Sequence, residues 1–138
     1  GLWYEDEAPG VIARTLEWMA GTGRFDMDRV VLAGLSNGGF GVTAVAGRHP
    51  WRGVAWLSGV MVPEDVAALD LKVPVLILHG GVDDRIPMDL IDESARALRS
   101  RGTTVDLDVV DDADHFLLFT HRERVDAALE RWLSAIGG

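Results

Sequence analysis

The sequence predicts an α/β protein: a parallel sheet of about four strands flanked by helices. Short apolar runs at residues 29–33, 53–57 and 73–80 have the character of strands buried on both faces. Stretches with helical spacing separate them. Such alternation calls for crossovers that lay the strands side by side in one direction. The 138 residues hold no repeat, linker or low-complexity tract, so residues 1–138 are expected to form one domain with its own core.

Each element has a local reason. Pro9 suits a first helical turn, and Glu5, Asp6 and Glu7 before it suit the positive end of a helix. Ile12, Leu16 and Met19 recur on one face until Gly21 and Gly23 stop the run. After the strand at 29–33 comes a helix over 40–47, ended by His49 and Pro50. Beyond the strand at 53–57 the connection is short, which predicts no large lid. The strand at 73–80 leads to a helix over 88–101, with Ile91, Ala95 and Leu98 inward and Gly102 as its stop. In the stretch 104–109, Val105, Leu107 and Val109 alternate with Thr104, Asp106 and Asp108. That pattern predicts an edge strand with one face in water, blunted by charge. Thr120 and Glu123 are spaced as a capping box, opening a last helix that buries Val125, Leu129, Trp132 and Ile136.

Composition excludes several function classes. A net charge of −9 argues against a sequence-independent grip on nucleic acid or on an anionic membrane surface. With no cysteine there is no disulfide framework, no thiolate nucleophile and no thiolate metal site. Residues 30–47 are fairly apolar, but glycines, Ser36, Asn37 and Thr43 interrupt them, which makes a poor membrane span. The expectation is a soluble, cytoplasmic protein that needs no cofactor. Because the chain starts at Gly1 rather than methionine, the domain is expected to be incomplete at its N-terminal side.

The chemistry-bearing stretch is VVLAGLSNGG, residues 30–39, where Gly34, Ser36 and Gly38 fit G-x-S-x-G at a strand-to-helix junction. A serine on so sharp a turn takes a strained backbone, costing about 1–3 kcal/mol. Side chains two residues before and after it are expected to collide, hence glycine at both places. The turn lifts the hydroxyl to the positive end of the following helix, with the Asn37 N–H aimed where an oxyanion would form. A P-loop would need Gly-Lys-Ser/Thr, and a dinucleotide fingerprint a Gly-x-Gly opening this turn; neither is present. A serine hydroxyl is a weak nucleophile and needs a base with something to fix it. HGGVDDRIP, residues 79–87, ends the third strand, and DDADHF, residues 111–116, follows the fourth, which gives the chain order serine, acid, histidine.

These segments resemble the C-terminal half of an α/β-hydrolase of the carboxylesterase, dienelactone hydrolase and prolyl-oligopeptidase-like kind. The elbow Gly-x-Ser-x-Gly-Gly-aromatic is matched by Gly34, Ser36, Gly38, Gly39 and Phe40. His-Gly-x-x-Asp-x-x-Val/Ile-Pro is matched by His79, Gly80, Asp83, Ile86 and Pro87, and the closing His-Phe by His115 and Phe116. The resemblance covers nearly the whole chain. It implies Ser36 as nucleophile, Asp83 as the acid with Asp84 as its competitor, and His115 as the base. His79 is expected to help end its strand, His49 to close a helix, and His121 to sit in the first turn of a surface helix.

The aspartates at 106, 108, 111, 112 and 114 lack the loop glycine and closing glutamate of a calcium loop, so no metal site is expected. Phe40, Met61, Ile86 and Phe116 are candidates for a substrate pocket, with core packing as their default role.

The function expected is a serine hydrolase that cleaves carboxylic esters through an acyl-enzyme, with a small-molecule ester as substrate. The alternatives are a prolyl-oligopeptidase-like peptidase and a non-catalytic binding domain on a hydrolase scaffold. The resemblance also implies further strands ahead of this segment and a second oxyanion donor from a loop among them. The strand starting near Val30 reads as central, so a second copy or a preceding N-terminal segment is expected to cover its edge.

Overall fold

The computed structural model describes residues 6–137, so Glu5 in the acidic run lies outside the described residues. Four parallel strands, β1 (Val31–Leu35), β2 (Gly53–Leu57), β3 (Val75–Gly80) and β4 (Val105–Val110), form one sheet in the order β1-β2-β3-β4. Between and around them run α1 (Ala8–Thr22), α2 (Gly38–Val45), α3 (Pro63–Ala67), α4 (Met88–Ser100), α5 (Leu117–Thr120) and α6 (Arg122–Gly137). The predicted fold class holds. Among the described residues no helix is long and apolar enough to cross a membrane.

Burial on both sheet faces follows from the unbroken apolar strands. Val54, Trp56, Val75 and Ile77 point into a core under α2, α3 and α4. Ala55, Leu76 and Leu78 point the other way, onto Val125, Ala128, Trp132 and Ile136 of α6. Alternate residues of one strand thus serve two cores, which a half-polar strand could not do. Leu129 is only partly buried at the margin of the second core. In α1 the stripe of Ile12, Leu16 and Met19 is half covered, and Trp18 stays 65% exposed.

Several boundaries move, each for a local reason. Arg29 belongs to a 3-10 turn (Met27–Arg29) that Asp26 caps through the Asp28 N–H, so β1 starts at Val31 and runs directly into Ser36. The helix expected from Phe40 already starts at Gly38. The connection after β2 contains α3, opened by Pro63; its five residues are too short to show a hydrophobic period in the sequence.

Two expectations are corrected. Thr120 does not cap the last helix: its hydroxyl donates to Phe116 O at 3.3 Å and closes the four-residue α5, and α6 begins at Arg122. His121 therefore lies at the α5–α6 junction, beside the Thr120 hydroxyl. Asp108 does not face water. It is 8% exposed and accepts hydrogen bonds from Arg124 and, at 2.8 Å, Arg131, both on α6. Two arginines one helical turn or more apart were needed to make that position habitable for a carboxylate, and alternation alone does not reveal them.

The second core depends most on Trp132, which is 4% exposed and packs against the β2 backbone at Gly53. Replacing it with alanine is expected to lower the unfolding free energy by about 3–5 kcal/mol, read from the urea midpoint by circular dichroism.

Candidate active site

The carboxyl ends of β1, β3 and β4 deliver three side chains to one rim of the sheet. Ser36 follows β1 with φ of 51°, a left-handed conformation uncommon for a non-glycine residue. Its peptide is tied on both sides: its N–H donates to Leu57 O at 3.4 Å, and its C=O accepts from Gly39 N and Val60 N, each at 2.9 Å. A Cβ on Gly34 would come within 2.4 Å of Gly38 O, so only glycine permits the chain to fold back so closely. The expectation for Gly38 is corrected. A Cβ there meets nothing within 4 Å; the second crowded position is Gly39, where a Cβ would stand 2.2 Å from Val60 O.

His115 reaches Ser36 from the loop after β4. Its Nε2 lies 2.9 Å from Ser36 Oγ, and its Nδ1 lies 2.9 Å from Asp83 Oδ2. An ionised carboxylate only accepts, so Nδ1 carries the proton and Nε2 is left to accept from the serine hydroxyl. The loops bearing His115 and Asp83 meet because Gly80 lacks a side chain: a Cβ there would sit 2.4 Å from Ala113 O and 2.5 Å from Asp114 O. The Gly81 and Val82 N–H groups then bond across to Val110 O and Ala113 O.

Asp83 is 6% exposed, and its other oxygen, Oδ1, accepts the N–H groups of Arg85 at 2.8 Å and Ile86 at 2.9 Å. Burial alone would raise its carboxyl, but the Ile86 N–H, His115 and the Arg85 N–H outweigh burial and hold it below the usual carboxylate range. Asp84, the competitor, is exposed. Of the two aspartates the structure brings Asp83 to the histidine.

The remaining candidates divide. Asn37 occupies the N-cap of α2, adjacent to Ser36. Phe116 is 44% exposed, lies edge-on to His115 at 5.7 Å and sits under the Arg85 guanidinium at 4.8 Å. Phe40 is half buried and lines a cavity of about 550 Å³ between α2 and α3, with Thr43, Val62 and Ala68. Met61 is wholly buried and Ile86 5% exposed; both pack in the core under α2–α4 rather than lining a pocket. His49 lies edge-on to Trp51 at 4.5 Å, next to the end of α2. Among the described residues no group of three or more potential ligands could hold a metal ion.

His79 lies at the end of its strand, as expected, and makes contacts toward the site that the sequence did not show. It is completely buried at the end of β3, with Nε2 2.9 Å from Ile86 O and 3.4 Å from Asp83 Oδ2. Burial pushes its pKa below the ordinary histidine value, more strongly than the Ile86 carbonyl and Asp83 raise it. Its place in the family segment, four residues before the aspartate, was the available signal.

A parallel sheet with a strained serine at a strand–helix turn, and an acid and a histidine on later strands, is the arrangement of the α/β-hydrolase superfamily. The chain belongs to the Dienelactone hydrolase family, whose model matches residues 5–136. It is 37% identical over 125 residues to a Methylorubrum extorquens protein described as "Putative carboxymethylenebutenolidase", covering 81% of this chain and 43% of that one. An Escherichia coli O157:H7 protein of the same description is 29% identical over 132 residues, covering 82% and 48%. The chain thus spans about half the length of the curated relatives it matches. Among solved structures, a Klebsiella pneumoniae subsp. pneumoniae protein described as "Putative Dienelactone Hydrolase" superposes with a TM-score of 0.78 at 23% identity, over 94% of this chain and 60% of that chain. Esterase PE8 gives a TM-score of 0.71 at 22% identity, over 88% and 59%; these likenesses show the fold.

Asp83 and His79, both shifted downward, make stability fall on acidification. Unfolded histidine takes up a proton near pH ~6.5 while folded His79 resists it, so the unfolded state binds more protons and stability declines below that pH. The Asp83 contribution is complete above about pH 3.9 and is lost as pH falls through its lower folded value. Urea midpoints are therefore expected to fall between pH 7 and 5, and to fall less steeply in His79→Gln; equal slopes would refute the assignment to His79.

Proposed function

We propose that this chain carries the nucleophile, acid and base of a serine hydrolase that cleaves carboxylic esters through an acyl-enzyme. The observation that supports it most is the unbroken hydrogen-bonded line from Ser36 Oγ through His115 to Asp83. Ser36 Oγ attacks the ester carbonyl carbon while its proton passes to His115 Nε2. The carbonyl oxygen becomes an oxyanion, and the Asn37 N–H at the start of α2 donates to it. The ester C–O bond then breaks, and His115 returns the proton to the departing alkoxide oxygen. Water repeats the attack on the acyl-serine, gives its proton to His115, and the acid leaves as Ser36 recovers its hydrogen. Asp83 keeps the proton on Nδ1 and offsets the imidazolium charge formed at each attack.

Membership of the family and the description of the curated relatives favour a butenolide-type lactone, a cyclic ester, among the substrates. Ring opening would use the same steps, with the leaving oxygen still tethered to the acyl group. A peptidase reading has only fold likeness behind it, such as the TM-score of 0.71 to Pyrococcus horikoshii acylaminoacyl peptidase at 13% identity.

The β1 edge belongs to the same proposal. Among the described residues β1 has one paired neighbour, and Leu35 on it is 43% exposed. A second copy or a preceding segment covers this edge, and a preceding segment would also supply the second oxyanion donor. Loss of one such donor typically costs about 100- to 1,000-fold in turnover.

A fluorophosphonate probe is expected to label Ser36, with labelling abolished in Ser36→Ala and at least about 1,000-fold slower in His115→Ala. A folded sample that resists the probe would instead favour a binding domain. For the edge, size-exclusion chromatography of this chain alone is expected to show self-association, and a stable, well-folded monomer would count against the proposal.

A further inference from the structure

Beyond the three residues of the proposed reaction, and resting on that reading, we propose that His79 is a positioning residue that holds the Asp83 carboxylate on His115. The geometry is a closed loop. Ile86 gives its N–H to Asp83 Oδ1 at 2.9 Å, and its C=O accepts from His79 Nε2 at 2.9 Å. His79 stands on β3, a strand paired on both sides, so it ties the 83–86 turn to the interior of the sheet. The same Nε2 edge lies 3.4 Å from Asp83 Oδ2, the oxygen that His115 Nδ1 contacts at 2.9 Å. Asp83 and His115 are the titratable groups acting on it.

Packing alone does not account for a histidine here. Among the described residues its buried Nδ1 has no hydrogen-bond partner. An unsatisfied buried acceptor lowers stability, whereas leucine or phenylalanine would fill the space with no polar atom to orphan. The position therefore keeps a polar ring against the interest of the fold. What that ring supplies, and a hydrocarbon cannot, is one donor at the Nε2 position. Burial keeps the ring neutral, so it donates from Nε2 alone and brings no second positive charge to compete with His115 for the carboxylate.

The test uses the protein at its full natural length and three variants. His79→Gln places an amide donor near the Nε2 position; His79→Leu removes it; His79→Asn is polar but too short to reach Ile86 O. Two readouts are taken: kcat and KM on p-nitrophenyl acetate, and the downfield proton resonance of His115 Nδ1–H, identified by its absence in His115→Ala. Leu and Asn are expected to lower kcat about 10- to 100-fold with KM little changed and to move the resonance upfield, while Gln retains most of both. A folded Leu variant with unchanged kcat and resonance overturns the proposal; if Leu does not fold, equal values for Asn and Gln do so. A wild type inert to esters would sink the proposed function instead, and the resonance series would still decide the role of His79.

Discussion

The backbone of Ser36 is the constraint on which the rest of the site depends. Left-handed φ costs a serine about 1–3 kcal/mol, and in its own segment only the Gly39 N–H bonds its carbonyl. The neighbouring strand does. Leu57 O and Val60 N grip the two ends of the Ser36 residue, and between them Ser58 takes a positive φ of its own, 46°. Register explains why the two strained serines sit side by side: Leu35 pairs with Leu57, so the next residues leave the sheet together. The second turn brings the chain of β2 back to meet Ser36, and β2 is held in turn by Val54 and Trp56, which have no exposed surface. Strain at the rim is thus maintained by dry packing in the middle of the sheet.

Placing His115 is a separate problem with a similar solution. A parallel sheet spaces its strand ends about 4.8 Å apart, too close for adjoining loops to interlock unless a side chain is omitted. Gly80 omits one, and the loop of Ala113 and Asp114 occupies the space. His115 and Asp83 then face one another with both oxygens of the carboxylate engaged, Oδ1 by two backbone N–H groups and Oδ2 by the imidazole. A carboxylate so committed cannot rotate without breaking several bonds together, which fixes the histidine tautomer as well.

How much of this was legible in the sequence follows from range. The strands, the crossovers and the order serine, aspartate, histidine were readable, because apolar runs and glycine-flanked turns are local signals. The choice of Asp83 over Asp84 came from family position, and its burial accords with it. What was not legible is whatever depends on a partner distant in the chain. Asp108 read as a solvent-facing residue because its arginines come 16 and 23 residues later. Gly38 was assigned a crowding that belongs to Gly39, since the obstructing carbonyl is on Val60, across from the neighbouring strand. Met61 and Ile86 lie near the motifs and were candidates for a pocket with core packing as the default, and they face the core.

The two margins of the sheet are treated differently, and the difference bears on the chemistry. On β4, Asp106 is exposed and Asp108 is pinned by α6, so that margin carries charge and a covering helix, both of which discourage pairing with another strand. On β1 the sequence is VLAGL, with no charge and no proline, and the groove beside it is lined by Ile12, Leu32, Leu35 and Val42. An apolar margin of that kind lacks the charge and proline that discourage pairing. That margin is also the strand that runs into Ser36, so whatever pairs with β1 would lie beside the proposed nucleophile. In the proposed reaction, covering that edge and completing the oxyanion site would be one structural event, because a strand laid along β1 would bring its own carboxyl or amino end to the rim beside Ser36.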